Sequence, residues 1–162
     1  MSATIRCLVL ACGNTLRTDD GIGPWLAHWI EENFSGRDGL KVIAQPQWTP
    51  DLAEDLAQAT QAIFLDCAVA GDNTRPGEIL LSTVYPADML AAPGTHHLDA
   101  AELLALAAML YGAQPAHALQ LTVAAGSLAL GEGFSPAVTT VLPVLRRVLG
   151  NLLEESLTLA AR

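Results

Sequence analysis

The chain has 162 residues, of which 17 are acidic and 8 are basic, for a formal net charge of −9. This length suits one domain, so we predict a single domain over residues 1–162. No apolar run is long enough to cross a bilayer, and the N-terminus does not have the pattern of a signal peptide, so we expect a soluble cytoplasmic protein. The negative charge and the lack of any basic cluster argue against a nucleic acid or a membrane as partner.

The first part of the chain predicts a strand, a loop and a helix. Ile5–Cys12 is a nearly continuous apolar run, which is typical of a parallel strand covered on both faces. After the loop, apolar residues recur at helical spacing up to Gly36, which can end the helix. These residues are Ile22, Trp25, Leu26, Trp29 and Ile30.

The same alternation of strands and helices continues along the chain. We predict strands over residues 40–44 and 62–68, with a helix between them that has Pro50 in its first turn. The pattern predicts a further strand over residues 77–84, which could lie at a sheet edge, and another over residues 118–126. The helix between these two strands should begin at Asp99, whose capping-box partner is Glu102, and end at Gly112. A last helix should open at Ser135 and Pro136, bend at Pro143 and run towards Glu155.

This order of elements defines the fold class. Strands that alternate with helices favour an α/β fold, a three-layer α/β/α sandwich around a twisted, mostly parallel sheet of about five strands. In such folds ligands bind in the crevice beyond the carboxyl ends of the strands. Polar residues at those ends are therefore the candidates for a functional site.

Three such residues could share a divalent transition metal. Asp20 follows the first strand, Asp66 ends the strand "AIFLD", and His96 precedes the Asp99 helix. Carboxylate oxygens and an imidazole nitrogen together suit nickel, zinc or iron. The positive end of the Asp99 helix would keep His96 and its neighbour His97 neutral, whereas acidic neighbours would favour the charged ring.

Each of these residues also has a purely structural interpretation. Asp19 and Asp20 could both be placed at a helix start for the helix dipole, and we expect this role for Asp19. Asp66 could simply accept a hydrogen bond from a loop amide. His96 and His97 could be solvated loop residues.

Nucleophilic catalysis has weaker support in the sequence. The chain contains no G-x-S-x-G elbow, and Cys12 beside Gly13 has no feature that would lower the pKa of its thiol. Cys7, Cys12 and Cys67 lie in apolar runs without C-x-x-C spacing, so we expect buried thiols in a reducing compartment.

Three segments, taken in order, resemble the [NiFe]-hydrogenase maturation endopeptidases. They are "LVLACGNTLRTDDGIGP", "IFLDCAVAGDNTRPGEI" and "THHLDAAELLALA". The resemblance implies the same three-layer sandwich, with Asp20, Asp66 and His96 as metal-binding and catalytic residues. It implies removal of a C-terminal extension from the precursor of a hydrogenase large subunit once nickel has been inserted, with nickel carried by that substrate as the recognition signal.

The chain departs from this family pattern in two places. Asp20 stands where several members have glutamate, which shortens the reach of the carboxylate by one methylene. Residues 45–52, "QPQWTPDL", replace a glycine-rich segment, and we expect Gln47 and Trp48 to contact the tail of the partner. Packing at the helix entry is the alternative role for Trp48.

The resemblance also implies a mechanism and a division of roles between the two histidines. A nickel ion shared with Asp20, Asp66 and His96 could polarise the scissile carbonyl or acidify a water. Because His96 and His97 should point to opposite sides in extended chain, His96 is the predicted ligand and His97 is left for substrate contact or packing. We expect a monomer. The alternative function is a non-catalytic metallochaperone or nickel-sensing checkpoint that binds the immature large subunit.

Overall fold

Strands and helices alternate along most of the chain. The structure, a computed structural model, describes residues 4–88 and 98–159. The elements are β1 (Ile5–Cys12), a 3-10 turn (Thr18–Gly21), α1 (Ile22–Asn33), β2 (Leu40–Gln45), α2 (Leu52–Gln58), β3 (Ala59–Ala68), β4 (Ile79–Thr83), α3 (Ala100–Tyr111), β5 (His117–Ala124) and α4 (Pro136–Leu159).

Within the described residues, five strands form one sheet in the order β2-β1-β3-β5-β4. Strands β2, β1, β3 and β5 are mutually parallel, and β4 pairs antiparallel with β5 at the edge. In the register, Ala11 of β1 lies opposite Leu65 of β3, and Asp66 of β3 lies opposite Thr122 of β5. The carboxyl ends of β1, β3 and β5 therefore lie together along the same side of the sheet, which we call its carboxyl edge.

Both faces of the sheet are covered by helices. Helices α1 and α4 pack on one face, against alternate residues of the central strands such as Val9, Ile63 and Leu121. Helices α2 and α3 pack on the other face, against Leu10 and Phe64 among others. Burial on both faces explains why these strands read as continuous apolar runs. The predicted fold class, a three-layer α/β/α sandwich around a mostly parallel sheet, is confirmed.

Several local predictions are confirmed and others need correction. The capping box at the start of α3 is present, with Asp99 and Glu102 bonded in both directions, and Gly112 ends this helix in the left-handed conformation. Helix α1 ends at Asn33, before the predicted Gly36. Helix α4 is one element that extends through Pro143 and beyond Glu155 to Leu159. Among the helices of the described residues, none is long and apolar enough to cross a membrane.

Candidate metal and substrate site

The loop after β1 is held in place by two close backbone approaches that only glycine allows. Gly13 has φ +148°, and a Cβ there would lie 1.9 Å from the backbone oxygen of Asp20. Gly23, in the first turn of α1, packs so closely on β1 that a Cβ would lie 2.2 Å from the oxygen of Cys12. These contacts press the loop and α1 against the end of β1. They fix where the chain presents Asp20.

The carboxylate of Asp20 is further anchored by the loop itself. The backbone N–H of Asn14 donates to Oδ2 of Asp20 at 2.8 Å. Within the described part of the chain, no arginine or lysine side chain pairs with this carboxylate or with that of Asp66. The second oxygen of Asp20 therefore remains available to a ligand.

Asp66 lies near the end of β3, on the face that α2 and α3 cover. Its Oδ1 accepts a hydrogen bond from the backbone N–H of Cys67 at 2.7 Å, so the predicted amide partner is present. Burial raises the pKa of Asp66, and the nearby charge of Asp20 raises it further, against the opposing effect of hydrogen bonds from Cys67 and Cys12. Burial and the Asp20 charge outweigh those bonds, and a bound cation would act in the opposite direction by lowering the pKa.

Asp20 and Asp66 share one cavity of ≈ 370 Å³ at the carboxyl edge of the sheet. The lining residues come from the strands β1, β3 and β5, from the loops after β1 and β2, and from the start of α3. They are Cys12, Asp20, Pro46, Gln47, Trp48, Asp66, Leu98, Asp99 and Gln120. The structure brings these two predicted carboxylates together, because each follows or ends a parallel strand.

The thiols at this edge are poor candidates for a nucleophile. Burial raises the pKa of Cys12 above its ordinary value, and the charges of Asp66 and Asp20 raise it further. Burial and the same carboxylates raise the pKa of Cys67 to about 12. Of the three thiols predicted to be buried, Cys7 and Cys12 are buried, whereas Cys67 is only half-buried. The negative charge of these carboxylates disfavours a thiolate, and the same charge attracts a cation.

Asp19 does not have the helix-start role that we predicted. It lies inside the 3-10 turn, and Gly21 precedes α1 without any side-chain cap. Asp19 is instead fully buried, and its carboxylate accepts hydrogen bonds from Gly126, Ser127 and Ser135. Burial alone would raise the pKa of Asp19, but these hydrogen bonds outweigh it and lower the pKa. The partners are more than a hundred residues away in sequence, so no local pattern could reveal them.

Gln47 and Trp48 both line the cavity, but in different ways. Gln47 is exposed, whereas Trp48 is 7% exposed and packs edge-on against Phe64 with ring centroids 5.3 Å apart. Packing at the helix entry is thus present for Trp48. Its indole Nε1 is nevertheless buried without a hydrogen-bond partner in the described structure, and an unpaired buried donor is costly. Contact with a substrate stays a prediction for both residues.

His96 and His97 lie outside the described residues, so their predicted roles remain untested. Leu98 and Asp99, the first residues described after them, both line the cavity. The described residues contain no group of three histidine, cysteine, aspartate or glutamate side chains arranged to hold a metal. Carboxylate oxygens such as those of Asp20 and Asp66 suit a divalent cation, and a metal site at this pair would need a further ligand.

Sequence reasoning missed Gln120 as a member of the site. This residue faces the cavity from the middle of β5, and its side chain makes no hydrogen bond within the described residues. A polar residue inside the otherwise apolar run "ALQLTVAAG" was the available signal. The segment around Pro46, in which Gln47 and Trp48 were predicted to contact a substrate, also borders a second cavity of ≈ 370 Å³ that Asn14, Pro24 and Gln45 help to line. The two cavities together extend the crevice along the edge of the sheet.

Fold and site together define an α/β domain with an acidic crevice at the carboxyl edge of a parallel sheet. No protein-family model matches the chain. Its sequence is 29% identical over 153 residues to the hydrogenase 2 maturation protease of Escherichia coli K12, covering 93% of this chain and 92% of that one. The resemblance to the hydrogenase maturation endopeptidases is thereby confirmed in sequence.

Solved structures agree with this relationship. The hydrogenase maturating endopeptidase HybD from E. coli superposes with a TM-score of 0.71 and 26% identity, with 93% of each chain covered. The [NiFe] hydrogenase maturation protease HybD from Thermococcus kodakarensis has a TM-score of 0.66 at 20% identity, with 91% of this chain and 98% of that one covered, and shows the shared fold. The chain is a relative of the hydrogenase maturation endopeptidases in sequence and fold.

Proposed function

We propose that this protein is an endopeptidase that removes the C-terminal extension of a [NiFe]-hydrogenase large-subunit precursor after nickel insertion. The observation that carries the proposal is the meeting of Asp20 and Asp66 in one cavity. They come from separate segments, and each lies in a motif that suggested the family. The relationship to the E. coli maturation protease extends over nearly the whole of both chains, which supports the same class of activity.

Nickel enters this proposal as part of the substrate. One oxygen of Asp20 has no hydrogen-bond partner among the described residues. This oxygen and the carboxylate of Asp66 would complete the coordination of an ion that the precursor already holds. His96 is the proposed third ligand, and the position of Leu98 and Asp99 beside the cavity supports that assignment. Two carboxylates that pair with no basic side chain of the described residues favour a cation over an anion. An unloaded precursor would lack the charge that they bind.

The shape of the crevice suits an extended peptide. Two adjoining cavities on either side of Pro46 give room for residues on both sides of a scissile bond. Gln47 is exposed and can bond a peptide group. The Nε1 of Trp48 has no hydrogen-bond partner among the described residues, and a small shift of the ring would offer this donor to a carbonyl. We assign both to binding the tail of the precursor, with His97 as a further contact.

The test is an incubation of the purified protein with nickel-loaded and with nickel-free large-subunit precursor, followed by intact mass measurement. The proposal predicts loss of the mass of the tail from the loaded precursor and an unchanged mass for the nickel-free one. A stable complex with a precursor of unchanged mass would overturn it in favour of the metallochaperone. Cleavage of both forms would show that nickel is not the recognition signal.

A further inference from the structure

Asp19, the neighbour of Asp20, bonds to a segment distant in sequence. Its Oδ2 accepts hydrogen bonds from the N–H groups of Gly126 and Ser127 at 2.7 and 2.9 Å and from Oγ of Ser135 at 2.7 Å, and its Oδ1 accepts one from the N–H of Ser135 at 2.8 Å. All four donors lie in the loop between β5 and α4. Asp19 itself has no exposed surface, and the four bonds are part-buried.

Other contacts fasten the same two loops together. Thr18 donates its N–H to the oxygen of Gly131 at 2.9 Å, and Gly131 donates to the oxygen of Leu16 at 2.9 Å, which forms a short parallel bridge. The hydroxyl of Thr18 donates to the oxygen of Ala129 at 2.6 Å. This hydroxyl bond is exposed, whereas the bonds of Asp19 are part-buried. We call these contacts between the loop after β1 and the loop after β5 the junction, and Asp19 is its buried residue.

The junction crosses the strand that carries Asp66. Strands β1 and β5 are both neighbours of β3 in the sheet, so the loops that follow them can meet only across the carboxyl end of β3. Asp19 and Asp20 share one 3-10 turn, and the turn allows little independent movement of two adjacent residues. The position of Asp20 relative to Asp66 therefore depends on where the junction holds this turn.

We propose that Asp19 is a positioning residue, which ties the loop after β1 to the loop after β5 and thereby sets the place of the Asp20 carboxylate opposite Asp66. The relevance to catalysis rests on the function proposed above. Only a carboxylate can accept all four hydrogen bonds, because an asparagine would turn an NH₂ group towards N–H or O–H donors. A glutamate would need a methylene of extra space that the fully buried site does not have.

The first measurement concerns the junction itself. In Asp19→Asn, hydrogen exchange should become at least about tenfold faster in peptides covering residues 14–21 and 126–135, with the strands of the sheet unaffected. Ser135→Ala removes one of the four bonds and should give a smaller increase in the same two peptides. Unchanged exchange in a folded Asp19→Asn variant would overturn the proposal without reference to any substrate.

The second measurement separates positioning from general stability. Ser156→Ala is the matched control, because Ser156 is also a buried polar residue and bonds the thiol of Cys7, which lies in the opposite half of β1. At a temperature where all variants are folded, Asp19→Asn should lower kcat for the nickel-loaded precursor at least about tenfold with little change in KM, whereas Ser156→Ala keeps wild-type values.

The outcomes of the kinetic test are distinct. An Asp19→Asn variant with faster hydrogen exchange in the two loops but wild-type kcat would overturn the proposal. A fall in kcat of the same size in a Ser156→Ala variant that has the same melting temperature as Asp19→Asn would also overturn it. A wild-type protein that processes no precursor would contradict the proposed function instead. Hydrogen exchange would still decide whether Asp19 holds the two loops together.

Discussion

Adjacent aspartates of this protein have opposite environments. Asp19 is buried and its carboxylate accepts four hydrogen bonds. Among the described residues, the carboxylate of Asp20 accepts one bond, from Asn14, and it faces the cavity. A saturated carboxylate has no oxygen left for a ligand, whereas a partly bonded one does. At the scale of single residues, hydrogen-bond accounting thus separates the structural aspartate from the one that can bind a cation.

Cys12 provides a test of the chemistry at this edge of the sheet. Because burial and two nearby carboxylates raise the pKa of its thiol, we expect no thiolate to take part in the reaction. Cys12→Ser keeps a small side chain that can donate to Asp66 and should process precursor within about threefold of the wild-type rate. Iodoacetamide should not inhibit the wild-type enzyme. Inactivation by the reagent together with an inactive, folded Cys12→Ser variant would restore the thiol as a candidate nucleophile.

A second prediction at the scale of residues distinguishes the role of His96 from that of His97. His96→Ala should lower processing of nickel-loaded precursor by at least about a hundredfold, because it removes a proposed metal ligand, and His97→Ala should retain substantial activity. Both variants should remain folded, as circular dichroism can check. The reverse order of activities would mean that His97 is the ligand and that the motif is displaced by one residue.

At the scale of elements, the predictable parts are those determined by neighbours in sequence. The central strands and the capping box of α3 follow from apolar runs and from the spacing of Asp99 and Glu102. The role of Asp19 could not be predicted, since its partners lie on a loop more than a hundred residues later. Gln120 joins the site only through the order in which β3 and β5 pair. The placement of Asp20 and Asp66 close together was predictable because each follows or ends a parallel strand.

Two helical glycines allow a test of the packing of α1 on β1. A Cβ at Gly23 would clash with the backbone of Cys12, whereas a Cβ at Gly150 in α4 would make an ordinary contact 3.6 Å from the ring of Trp29. Gly23→Ala should therefore lower the free energy of unfolding by about 1–3 kcal/mol through overpacking. Gly150→Ala should raise it by up to about 1 kcal/mol through helix propensity. Urea unfolding curves would check both, and equal effects would contradict the close approach at Gly23.

The whole molecule is built on two apolar layers, one on each face of the sheet. Both layers consist of packed apolar side chains, and the described residues contain no cluster of metal-binding side chains. Proteins whose folding depends on a metal lose their structure when it is removed. The ion of the proposed reaction should therefore be dispensable for stability.

This independence can be measured by thermal unfolding with and without a chelator. Excess EDTA should shift the melting temperature of the isolated protein by less than about 2 °C. A large fall in melting temperature would show that the protein holds a structural ion of its own. That result would contradict the view that the nickel arrives with the precursor.

The most direct test of the central claim is the single-turnover cleavage rate of nickel-loaded precursor by Asp66→Asn, measured by intact mass beside the wild-type protein. The substitution preserves the size of the side chain and an oxygen to accept the Cys67 N–H, but it removes the charge that would bind the ion. The account predicts a rate at least about a hundredfold lower, with an unchanged circular dichroism spectrum. Cleavage by folded Asp66→Asn at the wild-type rate would contradict it.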